Sequence, residues 1–289
     1  MFKVNSFPRS KQIIDAQVKN LIELGWDFVL QHGTYTTKIV KPVGKMVFST
    51  IKFRNKVFVA ASMVKRDALA TELGQQIIKH KHLKMNYANS ETLKNYKADR
   101  VLNIDIKGAY ATCLFVHGLI TQNTYDYLCG LKKDERLPAI GLLAKSHIKY
   151  HYSQGKCVKV EPYRSETSEL FFFLIQQIDC VMREVKWILG DDFIYYWVDG
   201  VFFKETTSQK KVDAVMEYLD SQGYNFTYEM CDNFTFNKKN GQCKISLEKG
   251  DMRKEWNFRD SNAEDGLIKN YLYAQSQKHS HSVVSTGIV

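Results

Sequence analysis

Apolar residues recur at helical spacing from Ser10 to Leu24, where Ile13, Ile14, Val18, Leu21 and Ile22 form one stripe and Gly25 stands at a C-cap position. The run "WDFVLQHGTYTTKIV" predicts two strands about His32-Gly33, and "KMVFSTIKFRNKVFVAAS" predicts two more about Arg54-Asn55. A second helix is expected from Arg66 to Lys81 on Leu69, Leu73, Ile77 and Ile78. Residues 1–83 therefore read as a small α+β unit of helix, four strands and helix, with the polar residues 84–100 as a connection.

The pattern changes at Val101. In "VLNIDI", Leu102, Ile104 and Ile106 alternate with Asn103 and Asp105, which predicts a strand with one apolar and one polar face. Residues 110–130 look helical, a basic stretch follows, and residues 168–189 form the longest predicted helix, stopped by Gly190. A hairpin about Asp199-Gly200 comes next, then a helix with Ser208 as N-cap, Val212, Val215, Met216 and Leu219 on one face, and Gly223 after it. "YNFTYEM" and "NFTFNKKNGQCKISLE" read as strands, the last pair turning at Asn240-Gly241. This order predicts an antiparallel sheet with helices on one face, of the ferredoxin or RRM-like α+β class, over residues 101–250. Residues 251–289 are expected to be a C-terminal segment with a flexible tail.

Charge sharpens the picture. The 289 residues carry a net +10, yet residues 1–100 hold 18 Lys and Arg against 7 Asp and Glu, and the rest is near balance. A basic segment beside a neutral one suggests a polyanion partner, most often nucleic acid, although solubility alone also uses basic surfaces. Six scattered cysteines without a C-x-x-C pair read as reduced thiols, so a cytoplasmic location is expected. No stretch reads as a signal peptide or a membrane span, and no membrane partner is expected.

One stretch raises a chemical question. "FIYYWVDGVFF" places a carboxylate, Asp199, in the middle of an apolar hairpin. Asp-Gly is a strong turn signal, which explains the residue without any function. Yet Asp105 ends another predicted strand, and adjacent central strands would bring the two acids together. Two such carboxylates suit a pair of Mg²⁺ ions, with Mn²⁺ as the alternative, and two metals can serve an in-line phosphoryl displacement.

"DIKGAY", Asp105 to Tyr110, resembles motif A of the palm of family B DNA polymerases, where a metal-binding Asp precedes a Tyr by five residues. "YYWVDGVFF" resembles motif C of that family, with Trp197 at the first Asp position and Asp199 at the second. The resemblance implies that Asp105 and Asp199 are the catalytic, metal-binding pair, and that Tyr110 packs under the incoming sugar. Motif B is not intact. The basic residues Lys132, Lys133, Arg136 and Lys145 lie in its interval and are the candidates for the triphosphate, on reduced fingers at about 131–165. Lys238 and Lys239 correspond to a Lys-rich strand that touches primer phosphates.

The resemblance covers residues 101–250 and leaves no acidic cluster for a proofreading exonuclease. It implies a stripped polymerase of the kind expected in a small phage or mobile element, acting in a bacterial host's cytoplasm. The implied partners are a DNA primer-template and deoxynucleoside triphosphates, with a protein primer left open. Oligomeric state and template type are open as well. "DIKGAY" also resembles motif A of reverse transcriptases, which keeps a reverse transcriptase or primase-like polymerase in play. The alternative from another class is a non-catalytic nucleic-acid-binding replication factor with a polymerase-like fold. A metal-dependent nuclease is disfavoured, because beyond His80-x-His82 and the pair His279 and His281 the histidines show no ligand spacing.

Overall fold

The computed structural model describes residues 7–33, 36–49, 55–79, 95–239 and 242–259. In chain order these form α1 (Phe7–Glu23), β1 (Phe28–Gly33), β2 (Thr36–Lys41), β3 (Gly44–Ser49), α2 (Asn55–Ala70), α3 (Glu72–Lys79) and β4 (Asn95–Ile106). Then follow α4 (Ala109–Val116), α5 (Gln122–Cys129), α6 (Lys133–Gly141), β5 (Ser146–Ser153), β6 (Lys156–Arg164) and α7 (Ser168–Leu189). The series ends with β7 (Phe193–Trp197), β8 (Gly200–Lys204), α8 (Gln209–Ser221), β9 (Phe226–Lys239), β10 (Gln242–Lys249) and β11 (Met252–Arg259). The fold is α+β with two antiparallel sheets. No described helix is long and apolar enough to cross a membrane.

The chain divides into two compact units, Met1–Ile78 with Asp126–Phe171, and Lys79–Tyr125 with Phe172–Val289. The first unit holds a five-stranded sheet ordered β3-β2-β1-β5-β6. α1 covers one face of it, packing Leu21 with Ile14, Val18 and Ile22 against Phe28, Ile39, Leu30, Met46 and Tyr152. The division differs from the one the sequence predicts. Strand β1 pairs with β5 along its whole length, Phe28 with Tyr152 through Gly33 with His147. Phe28 and Tyr152 also stack at 4.4 Å. Residues 131–165 are thus part of the basic unit's own sheet and helices, where the resemblance implied fingers.

Three local expectations are also corrected. The fourth strand expected from "NKVFVAAS" is the start of α2, because Val57, Ala60, Val64 and Ala68 fall on one buried helical stripe. The β-branched run is outweighed by that 3–4 residue spacing. The polar connection ends early, since β4 begins at Asn95. Residues 252–259, expected in a C-terminal segment, form β11 and pair with β10 from Met252 opposite Lys249 to Arg259 opposite Gln242. The expected turn at Asn240-Gly241, His80, His82 and the C-terminal tail lie outside the described residues.

The second unit holds a six-stranded sheet ordered β11-β10-β9-β4-β8-β7, with β4 near its centre. Leu102, Ile104 and Ile106 lie on one face, as predicted; on β8, Leu102 stands opposite Phe203 and Ile104 opposite Val201. Helix α7 covers that face: Tyr196 of β7, paired with Val201, donates its hydroxyl hydrogen to Asp179 of α7 at 2.5 Å. The predicted stop of α7 holds, with Gly190 in the left-handed region at φ 56°. On the opposite face Val101, Tyr195, Phe202, Cys231, Phe234, Phe236 and Ile245 form an apolar cluster built from strand residues. All six cysteines are free thiols.

Candidate active site

The apolar cluster gives way to polar residues at one end of β4. Asn103 and Asp105 share its face, and Asp105 stands opposite Gly200 on β8 and Thr227 on β9. Asp199 sits in the two-residue turn between Trp197 and Gly200, and its carbonyl accepts a hydrogen bond from the Ile106 N–H at 2.9 Å. That bond ties the hairpin tip to the strand end, so the two carboxylate residues belong to directly adjacent backbone. Both side chains are half-buried.

The hairpin does not turn in the way its Asp-Gly pair predicts. The residue with positive φ is Val198, at 54°, and Gly200 already belongs to β8. A β-branched residue in the left-handed region costs roughly 1–2 kcal/mol, because Cβ crowds the carbonyl oxygen. Gly200 answers a different need. A Cβ there would lie 3.0 Å from Asp105 Oδ1 and 3.8 Å from Asn103 Nδ2. The missing side chain is the space that the Asp105 carboxylate uses.

The neighbours of Asp105 are ordered by hydrogen bonds. Asn103, only 2% exposed, donates from Nδ2 to the Val201 carbonyl at 3.0 Å and accepts at Oδ1 from Lys249 Nζ at 3.0 Å. Lys249 also pairs with Glu229, which stands opposite Asn103 on β9. Thr227 Oγ1 donates to the Asp105 carbonyl at 3.4 Å. Trp197 lies on the same face as Asp105 and extends the apolar cluster up to the turn. Two buried thiols of the same unit stay protonated: burial pushes Cys231 up to about 11 and Cys113 up to about 12.

Sequence reasoning missed Asn103, Glu229 and Lys249. The alternation of "VLNIDI" placed Asn103 on the right face, which was a usable signal. Lys249 gave none, because its position depends on the irregular pairing of β10 with β9 between Ser246 and Glu248.

The remaining candidates fall in different places. Tyr110 is half-buried in the first turn of α4, just after Gly108 at φ 62°, in the same unit as Asp105 and Asp199. Lys132, Lys133, Arg136 and Lys145 belong to the other unit, the first three at the start of α6 and the last just before β5. Lys238 and Lys239 are at the far end of the sheet from the carboxylates. Lys238 N–H donates to Asn95 Oδ1 at 3.2 Å, ten residues up β4 from Asp105, a run of about 33 Å at about 3.3 Å per residue. Lys249, bonded to Asn103, stands nearer the Asp105 end of the sheet than Lys238 and Lys239 do.

Among the described residues no group of three or more His, Cys, Asp or Glu side chains could hold a metal ion. The carboxylates at this end of the sheet are Asp105 and Asp199, and carboxylate oxygen, with water and phosphate oxygens, is the donor chemistry that Mg²⁺ takes.

No protein-family model and no curated protein matches the chain. Among solved structures the chain is similar to the BmCPV RNA-dependent RNA polymerase at its elongation state, with a TM-score of 0.20 and 9% identity. The alignment covers 81% of this chain and 23% of that one, so the chain spans less than a quarter of that polymerase. A TM-score of 0.20 defines no common fold.

Proposed function

We propose that the chain is a template-directed nucleotidyltransferase, a DNA polymerase of reduced build, with Asp105 and Asp199 as its metal-binding carboxylates. The observation that carries this reading is the cleared space at Gly200. The hairpin gives up a side chain there, beside Asp105 Oδ1 at 3.0 Å, while its turn brings Asp199 to the adjacent backbone. A sheet built only for stability would fill that position. Mg²⁺ held by the two carboxylates would supply charge neutralisation at a transferring phosphate. Asp105 and Asp199 would hold that charge at the end of β4, and Tyr110, one short turn further on, would pack against the incoming sugar. Deoxynucleoside triphosphates and a DNA primer-template are the substrates on this reading.

The test is extension of a labelled primer on a short DNA template with Mg²⁺, beside Asp105→Asn and Asp199→Asn. Incorporation that needs the metal and is lost in both variants, with DNA binding retained, supports the proposal. Loss of binding and incorporation together counts against it.

A second reading, a non-catalytic nucleic-acid-binding factor, is favoured by Trp197. Where the resemblance expects a further acid, this indole belongs to the apolar cluster. Tight salt-sensitive DNA binding without incorporation by the wild type, on DNA and RNA templates and with a protein primer supplied, would select that reading.

A further inference from the structure

The first unit's sheet has a second face, opposite α1, and its composition differs from anything the carboxylate site uses. Directly paired residues share a face, as do residues two apart on one strand. Register therefore places Lys38, Gln31, Lys149 and Glu161 in one row across β2, β1, β5 and β6. The next row holds Gly33, His147 and Tyr163, and Lys45 stands opposite Val40 on β3. Lys145 precedes β5, two residues before His147, and its charge acts on both Lys38 and His147 of this face. Three lysines, Lys38, Lys145 and Lys149, thus lie around one buried histidine, and Lys45 adds a fourth charge to the face near Lys38.

Negative charge is scarce on this face. Glu161 is engaged by His151 Nε2 at 2.9 Å and by Lys159. Among the described residues Lys38, Lys45, Lys145 and Lys149 meet no carboxylate, and Lys149 instead lies over the Tyr163 ring at 5.5 Å. His147 is 9% exposed, and neither ring nitrogen has a hydrogen-bond partner among the described residues. Its ring stacks on Tyr163 at 4.2 Å, and Tyr163 is 43% exposed. The crowding has an electrostatic cost. Burial and then Lys145 and Lys45 lower the Lys38 pKa. Solubilising lysines avoid that cost by spreading over fully exposed positions, whereas Lys38 and Lys149 are half-buried.

We propose that this face is a binding surface for single-stranded nucleic acid, with Lys38, Lys45, Lys145 and Lys149 on its phosphates and Tyr163 as an aromatic contact among them. A single strand fits better than a duplex. Five strands about 4.8 Å apart make a face about 19 Å wide. The major groove is about 12 Å wide and admits a helix or a two-stranded ribbon. A broad sheet face accepts an unpaired strand laid across it, with cations on the backbone and aromatic rings on the bases. Gly33 in the His147 row keeps that part of the face low. The proposal deepens the polymerase reading by assigning a template-strand contact, and its test needs no catalysis.

The experiment is fluorescence anisotropy of the full chain with a labelled 20-nucleotide oligo-dT, over a salt series and against a 20-base-pair duplex competitor. Lys145→Ala/Lys149→Ala should weaken binding at least tenfold, and should flatten the log–log salt slope by about 0.7 for each phosphate that is no longer neutralised. Tyr163→Leu should also weaken binding. Lys19→Ala, on α1 and so on the opposite side of the sheet, should bind as the wild type does. Wild-type affinity in the double-lysine variant, or a duplex that competes as well as the single strand, overturns the proposal. Primer extension by the wild type separates the two readings: binding kept with extension absent leaves the surface standing and removes the polymerase. Extension that survives in a double-lysine variant with wild-type affinity does the reverse.

Discussion

A side chain at position 200 would begin 3.0 Å from Asp105 Oδ1, tighter than nine in ten real Cβ contacts, so the carboxylate would have to give way. Glycine at this strand position is unusual on backbone grounds, since Gly200 has no positive φ and a strand interior loses stability from glycine. Its role is to leave the carboxylate in place. On the polymerase reading proposed above, Gly200→Ala should displace Asp105 and cut primer extension by tenfold or more, while costing about 1–3 kcal/mol of stability through overpacking. Extension kinetics and thermal melting of the same preparation check both parts. Full activity in a folded Gly200→Ala protein would mean that the carboxylate position is unimportant.

Val198 holds the hairpin tip at φ 54°, a conformation that disfavours β-branched side chains. Val198→Gly should relieve the crowding by on the order of 1 kcal/mol, less what lost side-chain burial and glycine's chain entropy take back, and so raise the melting temperature. If the tip's rigidity positions Asp199, the same variant should lose activity while gaining stability. A melting temperature that falls would show that Val198 contributes more by packing than it costs in backbone strain.

Tyr196 links the sheet to α7 through its hydroxyl, which donates to Asp179 Oδ1 at 2.5 Å while Arg183 Nε donates to Oδ2 at 2.7 Å. Burial, and then the Asp179 carboxylate, raise the Tyr196 pKa, so the phenol stays protonated and a donor at all working pH values. Tyr196→Phe removes one partner from a carboxylate that is 6% exposed. It should destabilise the protein by about 1–3 kcal/mol. Denaturant titration reads that loss, and nucleic-acid affinity should not change.

His147 gives the first unit a pH dependence. Burial first, then Lys149, Lys145 and Lys38, push its pKa down to about 4 from an ordinary 6.5. Between those values the unfolded chain binds the proton and the folded unit does not, so stability rises with pH there. The contribution is fully present above pH 6.5 and is lost as pH falls through that window to about 4. His147→Phe should flatten this part of the melting profile relative to wild type. Identical wild-type and variant profiles between those limits would place the histidine in contact with solvent.

Much of the second unit was legible because its signals are local. The alternation of Leu102, Ile104 and Ile106 with Asn103 and Asp105 fixes which residues share a face, and a strand offers no other arrangement. The long apolar stripe before Gly190 and the span from Ser208 to Gly223 define α7 and α8 through spacing and caps. The run "NKVFVAAS" misled, since its β-branched residues suggest a strand while its buried positions follow a helical period that only packing reveals. The segment 146–164 could not be placed from its own residues, because β5 pairs with β1 more than a hundred positions earlier.

For the candidate site the division is similar. The sequence by itself determined two carboxylates, Asp105 at a strand end and Asp199 at a hairpin tip, because periodicity and turn chemistry are read over a few neighbouring residues. Only the tertiary structure decided that β4 and β8 are neighbours, that Gly200 makes room for Asp105, and that Lys249 stands nearer that end of the sheet than Lys238 and Lys239 do. It also gathered Lys38, Lys145 and Lys149 around His147. Those relations depend on register between strands distant in sequence, which is set by the joint burial of whole faces and leaves no mark in any short stretch of the chain.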